Sequence, residues 1–454
     1  MKKIAIVGAG EIGAFLAERL TAEQLDVTVI DREQDVLDNL QNTTDVAGVL
    51  GDATSIGDLQ GANIEDADLL IATTRQDETN LIACLLAKEL GIAKTIAVTR
   101  YLGLRGQSAQ LPSKALGIDL LVNSSEAVNN EIMEVIETTG ASEVARFAEG
   151  RIILVGVQVG ELSPLASRTV ANLCGSQNGD TPRFAITCIV RDNELLPFTQ
   201  DTRILMDDYL YVLATQEHLV ELNRVLSVET IKTRTAVVFG DNFLSQLLAT
   251  SLLNRHFHVT MLASTEDKAQ FLRNHFEDKS HFQVETGSGI EVKLLRRVKV
   301  PSTSLFIATH TDDANNLTAC MIAKSLGAGK TVATIKRTDI LALCRKAGVD
   351  VNIAPRLATA KAIQRMVHED RVLNYRAITQ TDLEVVELEA KPGSKVTRRP
   401  IGKLKLPKGV TLGAIASGES SCLPNPDITI QPGDKVILLI LPERIRDVEA
   451  LFAA

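Results

Sequence analysis

A 32-residue segment of this chain occurs twice. From Leu69 to Arg100 the sequence is LLIATTRQDETNLIACLLAKELGIAKTIAVTR, and from Leu305 to Lys336, 236 positions later, it is LFIATHTDDANNLTACMIAKSLGAGKTVATIK, with 16 of the 32 aligned positions identical. Identity of that extent at a fixed offset indicates a duplicated structural unit. The chain is therefore expected to contain one architecture twice, and differences between the copies indicate what each copy does.

Strand and helix patterns alternate through the first copy. Continuous apolar strands such as AIV and LLIA are typical of a sheet that is covered on both faces. The alternation predicts a Rossmann-like α/β domain with a doubly wound parallel sheet in each copy. In the first copy the predicted strands are Lys3–Val7, Asp26–Ile30, Ala47–Leu50, Leu69–Thr73 and Thr95–Thr99.

A different pattern begins near Ser142 and predicts a small α+β domain. Residues 183–197 are typical of a hairpin, and the segment ILMDDYLYVL from Ile204 aligns with IQPGDKVILL from Ile430, 226 positions later. The small domain is therefore also duplicated, which gives the order large, small, large, small. We predict domains at residues 1–140, 141–230, 231–375 and 376–454.

Composition excludes several classes of protein. A chain of 454 residues is larger than one hydrophobic core usually organises, and its 45% hydrophobic and 23% charged residues are typical of globular domains. The net charge of −9 opposes binding to nucleic acid, so we expect no DNA or RNA partner. Apolar runs such as Val436–Leu441 are too short to span a bilayer, Met1 leads directly into a strand, and the six cysteines have no CxxC spacing. These features predict a cytosolic chain with reduced cysteines.

A glycine motif opens the first copy. In KIAIVGAGEIG, Gly8 would permit a tight turn between strand and helix, Gly10 would let the backbone approach a pyrophosphate, and Gly13 would let helix and strand pack closely. Asp31 follows 23 residues after Gly8, at the end of the second strand. A carboxylate there accepts hydrogen bonds from ribose hydroxyls and repels a 2′-phosphate, which favours an unphosphorylated dinucleotide. Arg32 is a cation beside Asp31, so a dinucleotide with a 2′-phosphate stays an alternative.

Further polar residues follow the predicted strands, at the edge where open α/β sheets bind ligands. Asp52 follows the third strand, Thr73, Thr74 and Arg75 follow the fourth, and Arg100 ends the fifth. A phosphate contact and a simple exposed position are equally compatible with Arg100. Helix capping is favoured over ligand contact for three residues that begin the next helix: Asp77, Glu78 and Asn80.

The second copy has lost most of this pattern. It begins TAVVFGDNFLS, in which Gly240 remains while Asn242 and Ser245 replace the other two glycines, and Ala263 stands in the place of Asp31. The sequence predicts a scaffold without this nucleotide site. Binding of a different or weaker ligand by the second copy stays an alternative, because polar residues persist near the crevice: Thr309, Asp312 and Asp313.

Patterns for catalysis and metal binding are missing from the sequence. There is no Gly-x-Ser-x-Gly elbow and no Walker lysine, and His256 and His258 have no identifiable third ligand. We expect no catalytic residue and no metal site. Between Lys391 and Lys408 there are seven basic residues and no acidic one, which predicts either a docking patch for an acidic partner or lipid headgroups, or a solvated loop.

The segments KIAIVGAGEIG, VTVIDRE and ATTRQDETNLIACLLAKELG resemble the regulator-of-potassium-conductance (RCK), or KTN, domain. The segments LPKGVTLGAI and IQPGDKVILLILPERIRDVEALF resemble its C-terminal companion domain. Two such pairs without a transmembrane segment are similar to the regulatory subunits of prokaryotic Trk potassium uptake systems. The resemblance covers essentially the whole chain, and the order of the domains makes it specific.

The resemblance implies a regulatory protein that is not an enzyme. It implies a homo-oligomer, a dimer or tetramer ring, on the cytoplasmic face of the membrane beneath a TrkH- or TrkG-type potassium channel subunit. It also implies NAD+ or NADH as ligand, with ATP or ADP at the same site, and channel gating by ligand occupancy. With the fingerprint residues, the predicted contacts are Gly8, Ala9, Gly10, Glu11, Ile12, Gly13, Asp31, Arg32, Asp52, Thr73, Thr74, Arg75 and Arg100.

Two alternatives stay open. An NAD-dependent oxidoreductase would need a proton-transfer residue at the nicotinamide end, and the sequence identifies none. A regulatory ring of another ion channel would have the same domains but a different membrane partner.

Overall fold

The computed structural model describes residues 2–99, 117–137, 141–160, 163, 165–174, 184–192, 194–226, 234–367, 372–378, 381 and 383–453. Contacts divide the chain into two compact units. Unit 1 consists of Met1–Val128 and Pro355–Val367, and unit 2 consists of Asn129–Ala354 and His368–Ala454.

Unit 1 contains a six-stranded parallel sheet in the order β3-β2-β1-β4-β5-β6. The central strands are buried on both faces, as their continuous apolar sequences predict. The strands are β1 (Lys3–Val7), β2 (Asp26–Asp31), β3 (Ala47–Leu50), β4 (Leu69–Ala72), β5 (Lys94–Thr99) and β6 (Leu120–Asn123). The helices from this part of the chain are α1 (Glu11–Ala22), α2 (Gln34–Thr43), α3 (Ile56–Gly61), α4 (Asp77–Glu89) and the start of α5 (Ser124–Glu137).

A helix from the second half of the chain completes unit 1. By sequence position, Pro355–Val367 (α13) ends the second large domain, but it packs here against α1. Lys2 Nζ donates a hydrogen bond of 2.9 Å to the carbonyl of Val367, one of the carbonyls at the helix end that lack an intrahelical donor. The two helices share one buried apolar cluster, which includes Leu16, Ala17, Leu20, Ala360, Ile363 and Val367.

Unit 2 contains a second six-stranded parallel sheet, in the order β14-β13-β12-β15-β16-β17. Its strands are β12 (Thr235–Phe239), β13 (His258–Ala263), β14 (Phe282–Thr286), β15 (Leu305–Ala308), β16 (Lys330–Thr334) and β17 (Val351–Ile353). Its helices are α8 (Phe243–Asn254), α9 (Glu266–His275), α10 (Val292–Arg297), α11 (Asp313–Leu326) and α12 (Leu341–Lys346).

Both small domains belong to unit 2, and each has a five-stranded sheet. The first, in the order β10-β9-β11-β8-β7, has β7 (Glu143–Phe147), β8 (Ile152–Gln158), β9 (Phe184–Arg191), β10 (Glu194–Leu195) and β11 (Tyr209–Thr215), with α6 (Val170–Cys174) and α7 (Leu219–Leu226). The second, in the order β18-β19-β22-β20-β21, has β18 (Asn374–Ala377), β19 (Glu384–Glu389), β20 (Val410–Ser417), β21 (Ser420–Cys422) and β22 (Lys435–Ile440), with α14 (Ile445–Phe452). Neighbouring strands in both sheets are antiparallel.

The two small sheets share one hydrophobic core. Tyr211 and Leu213 of the first sheet lie in the same buried cluster as Val385 and Leu439 of the second. The later part of α5 also belongs to unit 2, where Lys330 Nζ donates a hydrogen bond of 2.9 Å to the carbonyl of Val135. Helices α5 and α13 are equivalent in the repeat, so in each copy a lysine donates a hydrogen bond to a backbone carbonyl near the end of this helix.

The predicted fold class is confirmed: two parallel-sheet Rossmann-like domains are each followed by an antiparallel-sheet domain. The domain boundaries near residues 140, 230 and 375 stay predictions. Within the described residues, no helix has the length and apolar character needed to cross a membrane.

Candidate nucleotide-binding site

The turn between β1 and α1 has the geometry that its three glycines predict. Gly8 has a φ of +96°, and its N–H donates a 2.8 Å hydrogen bond to the carbonyl of Ile30 on the neighbouring strand. A Cβ atom on Gly13 would lie 1.8 Å from the carbonyl oxygen of Gly8, so any side chain there would overlap the turn. A Cβ atom on Gly10 would meet no atom within 4 Å. The space beside Gly10 is therefore open to a ligand.

Helix α1 begins without a side-chain cap. Gly10 is the residue that precedes the helix, and no side chain accepts a hydrogen bond from the first turn. The N–H groups of such a turn have no partner within the helix, and they bind anions such as phosphate. Ala9 is buried, Glu11 is exposed and Ile12 packs against the core. The backbone of this segment, more than its side chains, thus forms the candidate phosphate site.

Asp31 connects the first two loops of the crevice. Its Oδ2 accepts a 2.6 Å hydrogen bond from the N–H of Ala9, and its Oδ1 accepts one of 3.1 Å from the N–H of Glu33. The carboxylate is only partly buried. It therefore holds the glycine turn in place at the end of β2, the position from which a carboxylate can also accept hydrogen bonds from a ribose.

Asp52 and Arg32 lie at the neighbouring strand ends. Arg32 Nη1 is 3.6 Å from Asp52 Oδ2, and Arg32 Nη2 donates a 3.3 Å hydrogen bond to Gln76 Oε1. Hydrogen bonds from the backbone N–H and the hydroxyl of Thr54, together with the charge of Arg32, lower the pKa of Asp52. Asp52 is therefore ionised at neutral pH, and Arg32 is exposed and paired across the edge of the crevice.

The residues after β4 have separate roles. Thr73 is buried, and its hydroxyl donates to the carbonyls of Val7 and Gly8 at 3.0 and 3.1 Å, so it supports the glycine turn. Thr74 is partly buried at the crevice, and Arg75 is exposed. Arg100 lies outside the described residues.

Asn80 is a structural residue that the sequence did not identify correctly. Its Oδ1 accepts hydrogen bonds from the N–H and hydroxyl of Thr74 at 2.8 and 2.7 Å, and its Nδ2 donates to the carbonyls of Thr74 and Val98 at 3.1 and 2.8 Å. The side chain is fully buried and joins the ends of β4 and β5. Asn316 makes the equivalent bonds in the second copy. The sequence signal for this structural role is that an asparagine occurs at the same position of an apolar helix in both copies.

Side chains close the equivalent position of the second copy. Asn242 precedes α8, and its Oδ1 accepts a 3.0 Å hydrogen bond from the N–H of Ser245, which caps the helix. Its Nδ2 donates a 2.5 Å hydrogen bond to the carbonyl of Thr309. The Ser245 and Thr309 hydroxyls lie 2.8 Å apart, and Ser245 Oγ would be 2.6 Å from a Cβ on Gly240. The chain itself therefore supplies the acceptor that a phosphate would provide.

The second copy also carries a carboxylate that the first lacks. Asp241 stands at the position of Ala9, and its Oδ2 accepts hydrogen bonds from the N–H and hydroxyl of Ser264 at 2.8 and 2.6 Å. Its Oδ1 lies 2.8 Å from Lys268 Nζ. A hydrogen bond therefore joins the loop after the first strand to the loop after the second strand in both copies. In the first copy the first loop donates, from Ala9 to Asp31, whereas in the second copy the second loop donates, from Ser264 to Asp241. A negative charge at this helix start disfavours an anionic ligand.

The other polar residues of the second crevice already have partners. Asp312 Oδ1 caps α11 by accepting from the N–H of Asn315 at 2.8 Å, and Asp313 Oδ2 accepts from the N–H groups of Lys336 and Arg337, each at 3.0 Å. The His310 ring stacks on Phe239 with the ring centroids 5.2 Å apart. These contacts stabilise the loops around an internally bonded crevice.

Cys84 and Cys320 are buried in the part of the chain that the structure describes. No group of three His, Cys, Asp or Glu side chains is placed to hold a metal there. Burial raises the pKa of the Cys84 thiol to about 12, and burial also raises the pKa of its repeat equivalent Cys320. Both thiols are therefore protonated at neutral pH and behave as packing residues.

Comparison with known families identifies both kinds of domain. The TrkA-N domain matches residues 4–123 and again residues 236–355, and the TrkA-C domain matches residues 385–453. The chain belongs to the TrkA family. The Trk system potassium uptake protein TrkA of Halomonas elongata is 31% identical over 99% of this chain and 98% of its own length, and that of Vibrio alginolyticus is 30% identical with the same coverage.

Solved structures agree with this fold. The crystal structure of the GsuK RCK domain aligns with 99% of this chain and 95% of its own length, at a TM-score of 0.57 and 17% identity. The GsuK channel bound to NAD aligns with 99% of this chain and 79% of its own chain, at a TM-score of 0.58 and 17% identity. At this identity the likeness shows the fold alone, and it extends over both halves of the TrkA-family chain.

Proposed function

We propose that this chain is the nucleotide-sensing regulatory subunit of a potassium uptake system. The observation that carries the proposal is the uncapped start of α1 at Gly10, which is open to a ligand and stands beside Asp31. The TrkA relatives, named for potassium uptake, support the transport system. GsuK structures described as bound to NAD and to ADP support the ligand class.

The proposed ligand is NAD+ or NADH, with ATP or ADP as competitors at the same site. The first-turn N–H groups of α1 would bind the phosphates, and Asp31 would bind the adenosine ribose. Arg32, Asp52, Thr74 and Arg75 lie on neighbouring strand ends and would contact the remainder of the ligand, while Thr73 would support the turn.

The proposed mechanism is a shift between conformations, without a chemical reaction. A ligand that binds one arrangement of the domains more tightly favours that arrangement, by no more than the difference in affinity. The subunit would act on the cytoplasmic face of the membrane, as a homo-oligomeric ring attached to a TrkH- or TrkG-type potassium channel subunit. Nucleotide occupancy of the ring would then change potassium flux.

The test is potassium flux in proteoliposomes that contain the membrane subunit and this chain, with and without NADH or ATP. We expect flux to depend on nucleotide for the wild type and for the matched control Ala263→Ser. Asp31→Ala should still bind the membrane subunit but lose the response. Flux that ignores both nucleotides would contradict the proposal, and steady oxidation of NADH with added carbonyl substrates would favour an oxidoreductase.

A further inference from the structure

The second small domain carries a strongly basic loop, residues 390–409, between β19 and β20. This segment, the basic loop, has seven basic residues and no acidic one, although the whole chain has a net charge of −9. All seven basic residues are exposed: Lys391, Lys395, Arg398, Arg399, Lys403, Lys405 and Lys408.

These charges are not neutralised by neighbouring carboxylates. Arg398 Nη2 donates a 2.8 Å hydrogen bond to the carbonyl of Gly393. Among the residues that the structure describes, no carboxylate forms an ion pair with any of the seven. The segment bonded to the loop, residues 423–430, contains a single acidic residue, Asp427. The loop therefore presents a positive surface to solvent.

The loop is held firmly against its domain. Val396 is 1% exposed, and Ile401 and Leu404 pack against the same hydrophobic cluster. The N–H groups of Ile401 and Gly402 donate hydrogen bonds of 2.8 and 2.9 Å to the carbonyls of Ile428 and Pro426. Because the apolar side chains face the core, the basic side chains project from an anchored backbone.

The equivalent loop of the first small domain lacks this charge. Between β8 and β9, residues 159–183 contain two basic residues, Arg168 and Arg183, and two acidic residues, Glu161 and Asp180. The fold of the small domain therefore does not require a basic surface at this place. The charge is specific to the second small domain and needs a separate explanation.

We propose that the basic loop is a docking surface for the anionic phospholipid headgroups of a membrane. Clusters of four to eight basic residues bind anionic bilayers, and each residue near the surface strengthens binding by about fivefold. The loop has no aromatic residue to stack on bases, which disfavours single-stranded nucleic acid. The membrane is favoured over an acidic protein segment because the proposed function, on which this inference rests, places the chain beside the bilayer.

The test is cosedimentation of the full chain with vesicles, without nucleotide and without a membrane protein. Vesicles of phosphatidylcholine with phosphatidylglycerol are compared with vesicles of phosphatidylcholine alone. The patch variant carries Lys403→Gln, Lys405→Gln and Lys408→Gln. The control variant removes the same charge from exposed lysines of the second large domain, by Lys279→Gln, Lys293→Gln and Lys299→Gln.

We expect the wild type and the control variant to bind the anionic vesicles and to release them at high salt, since salt screens exposed charges. The patch variant should bind about 100-fold more weakly, because three contributions of about fivefold are lost. Equal loss in both variants, or equal binding to neutral vesicles, would overturn the proposal. The proposal would also be overturned if the patch variant bound vesicles normally but lost binding to polyglutamate. That result would identify an acidic protein as the partner of the basic loop.

Circular dichroism and the melting temperature of both variants control for folding. Failure of the proposed function would be seen separately, as potassium flux that ignores nucleotides while vesicle binding persists. Loss of vesicle binding with a normal nucleotide response would reject the docking surface and leave the proposed function in place.

Discussion

The two large domains share a sheet topology but differ at the first turn of their first helix. In the first domain, Gly10 leaves the start of α1 without a side-chain acceptor, whereas in the second, Asn242 caps α8 from the equivalent position. Asp241 adds a carboxylate beside that cap. The comparison teaches that an anion site can be lost without damage to the fold when side chains take over the hydrogen bonds of the ligand.

The largest effect is expected from Gly13→Ala. The added Cβ would lie 1.8 Å from the carbonyl oxygen of Gly8, so the turn must move, and we expect a loss of about 3 kcal/mol in the free energy of unfolding of unit 1, together with loss of nucleotide binding. In the second domain, Ser245→Ala should cost only about 1 kcal/mol, since it removes hydrogen bonds and adds no atoms. Chemical denaturation of both variants measures the difference. Equal losses would show that the two turns are not packed differently.

Asp31→Ala should weaken NADH binding by about 100-fold, because two charge-assisted hydrogen bonds to a ribose would be lost. It also removes the bond to the N–H of Ala9, so the glycine turn is less firmly held. Changes at Ala263 or Asn242 should leave NADH affinity nearly intact. Isothermal titration calorimetry measures all three affinities. A large effect of Asn242→Gly would place a nucleotide in the second crevice and contradict the comparison.

Gly10→Asn would give the first crevice the capping residue that the second crevice has in Asn242. The φ and ψ of Gly10 are −67° and −173°, close to the −81° and 177° of Asn242, so the backbone accepts the change. The new side chain would cap α1 and occupy the phosphate position, and we expect NADH and ADP binding to weaken about tenfold or more while stability is kept. Titration and thermal unfolding of one sample measure both effects. Tight binding in this variant would show that the phosphates lie elsewhere.

The smallest effect concerns acid stability of the second domain. Burial raises the pKa of Asp241, but hydrogen bonds from Lys268 and Ser264 outweigh burial and leave the pKa below its usual value. The folded state therefore binds this proton less readily than the unfolded state, so the stabilisation is present at neutral pH and is lost as the pH falls below about 4. Asp241→Asn should unfold at a melting temperature that depends less on pH in that range. Identical pH profiles would show that the Asp241 contacts contribute nothing.

The sequence predicted the elements that depend on local pattern. The alternating strands and helices, the tight turn at Gly8 and the close packing at Gly13 follow from residue type and spacing. Roles that depend on distant partners were not predictable. The sequence favours a capping role for Asn80, yet its side chain joins two strand ends. This role is not visible in the sequence because the carbonyl of Val98 comes near Asn80 only in the folded sheet.

The second crevice shows the same limit. Ala263 in the place of Asp31 predicts a lost carboxylate, but Asp241 restores a carboxylate from the opposite loop. A residue-by-residue comparison of the copies records a loss there, although the hydrogen bond between the loops is kept. The feature common to both copies is the hydrogen bond between the two loops, and it can be recognised only from the three-dimensional positions of both loops.

The placement of α13 in unit 1 has a consequence for protein synthesis. The hydrophobic cluster around Leu16 and Leu20 includes Ile363 and Val367, which the ribosome adds far later. The amino-terminal domain cannot complete its core until most of the chain has been translated. Its apolar surface therefore stays exposed until α13 has been synthesised. A truncated chain that ends before Pro355 should therefore be prone to aggregation and in need of chaperones, even though it contains every residue of the candidate nucleotide site.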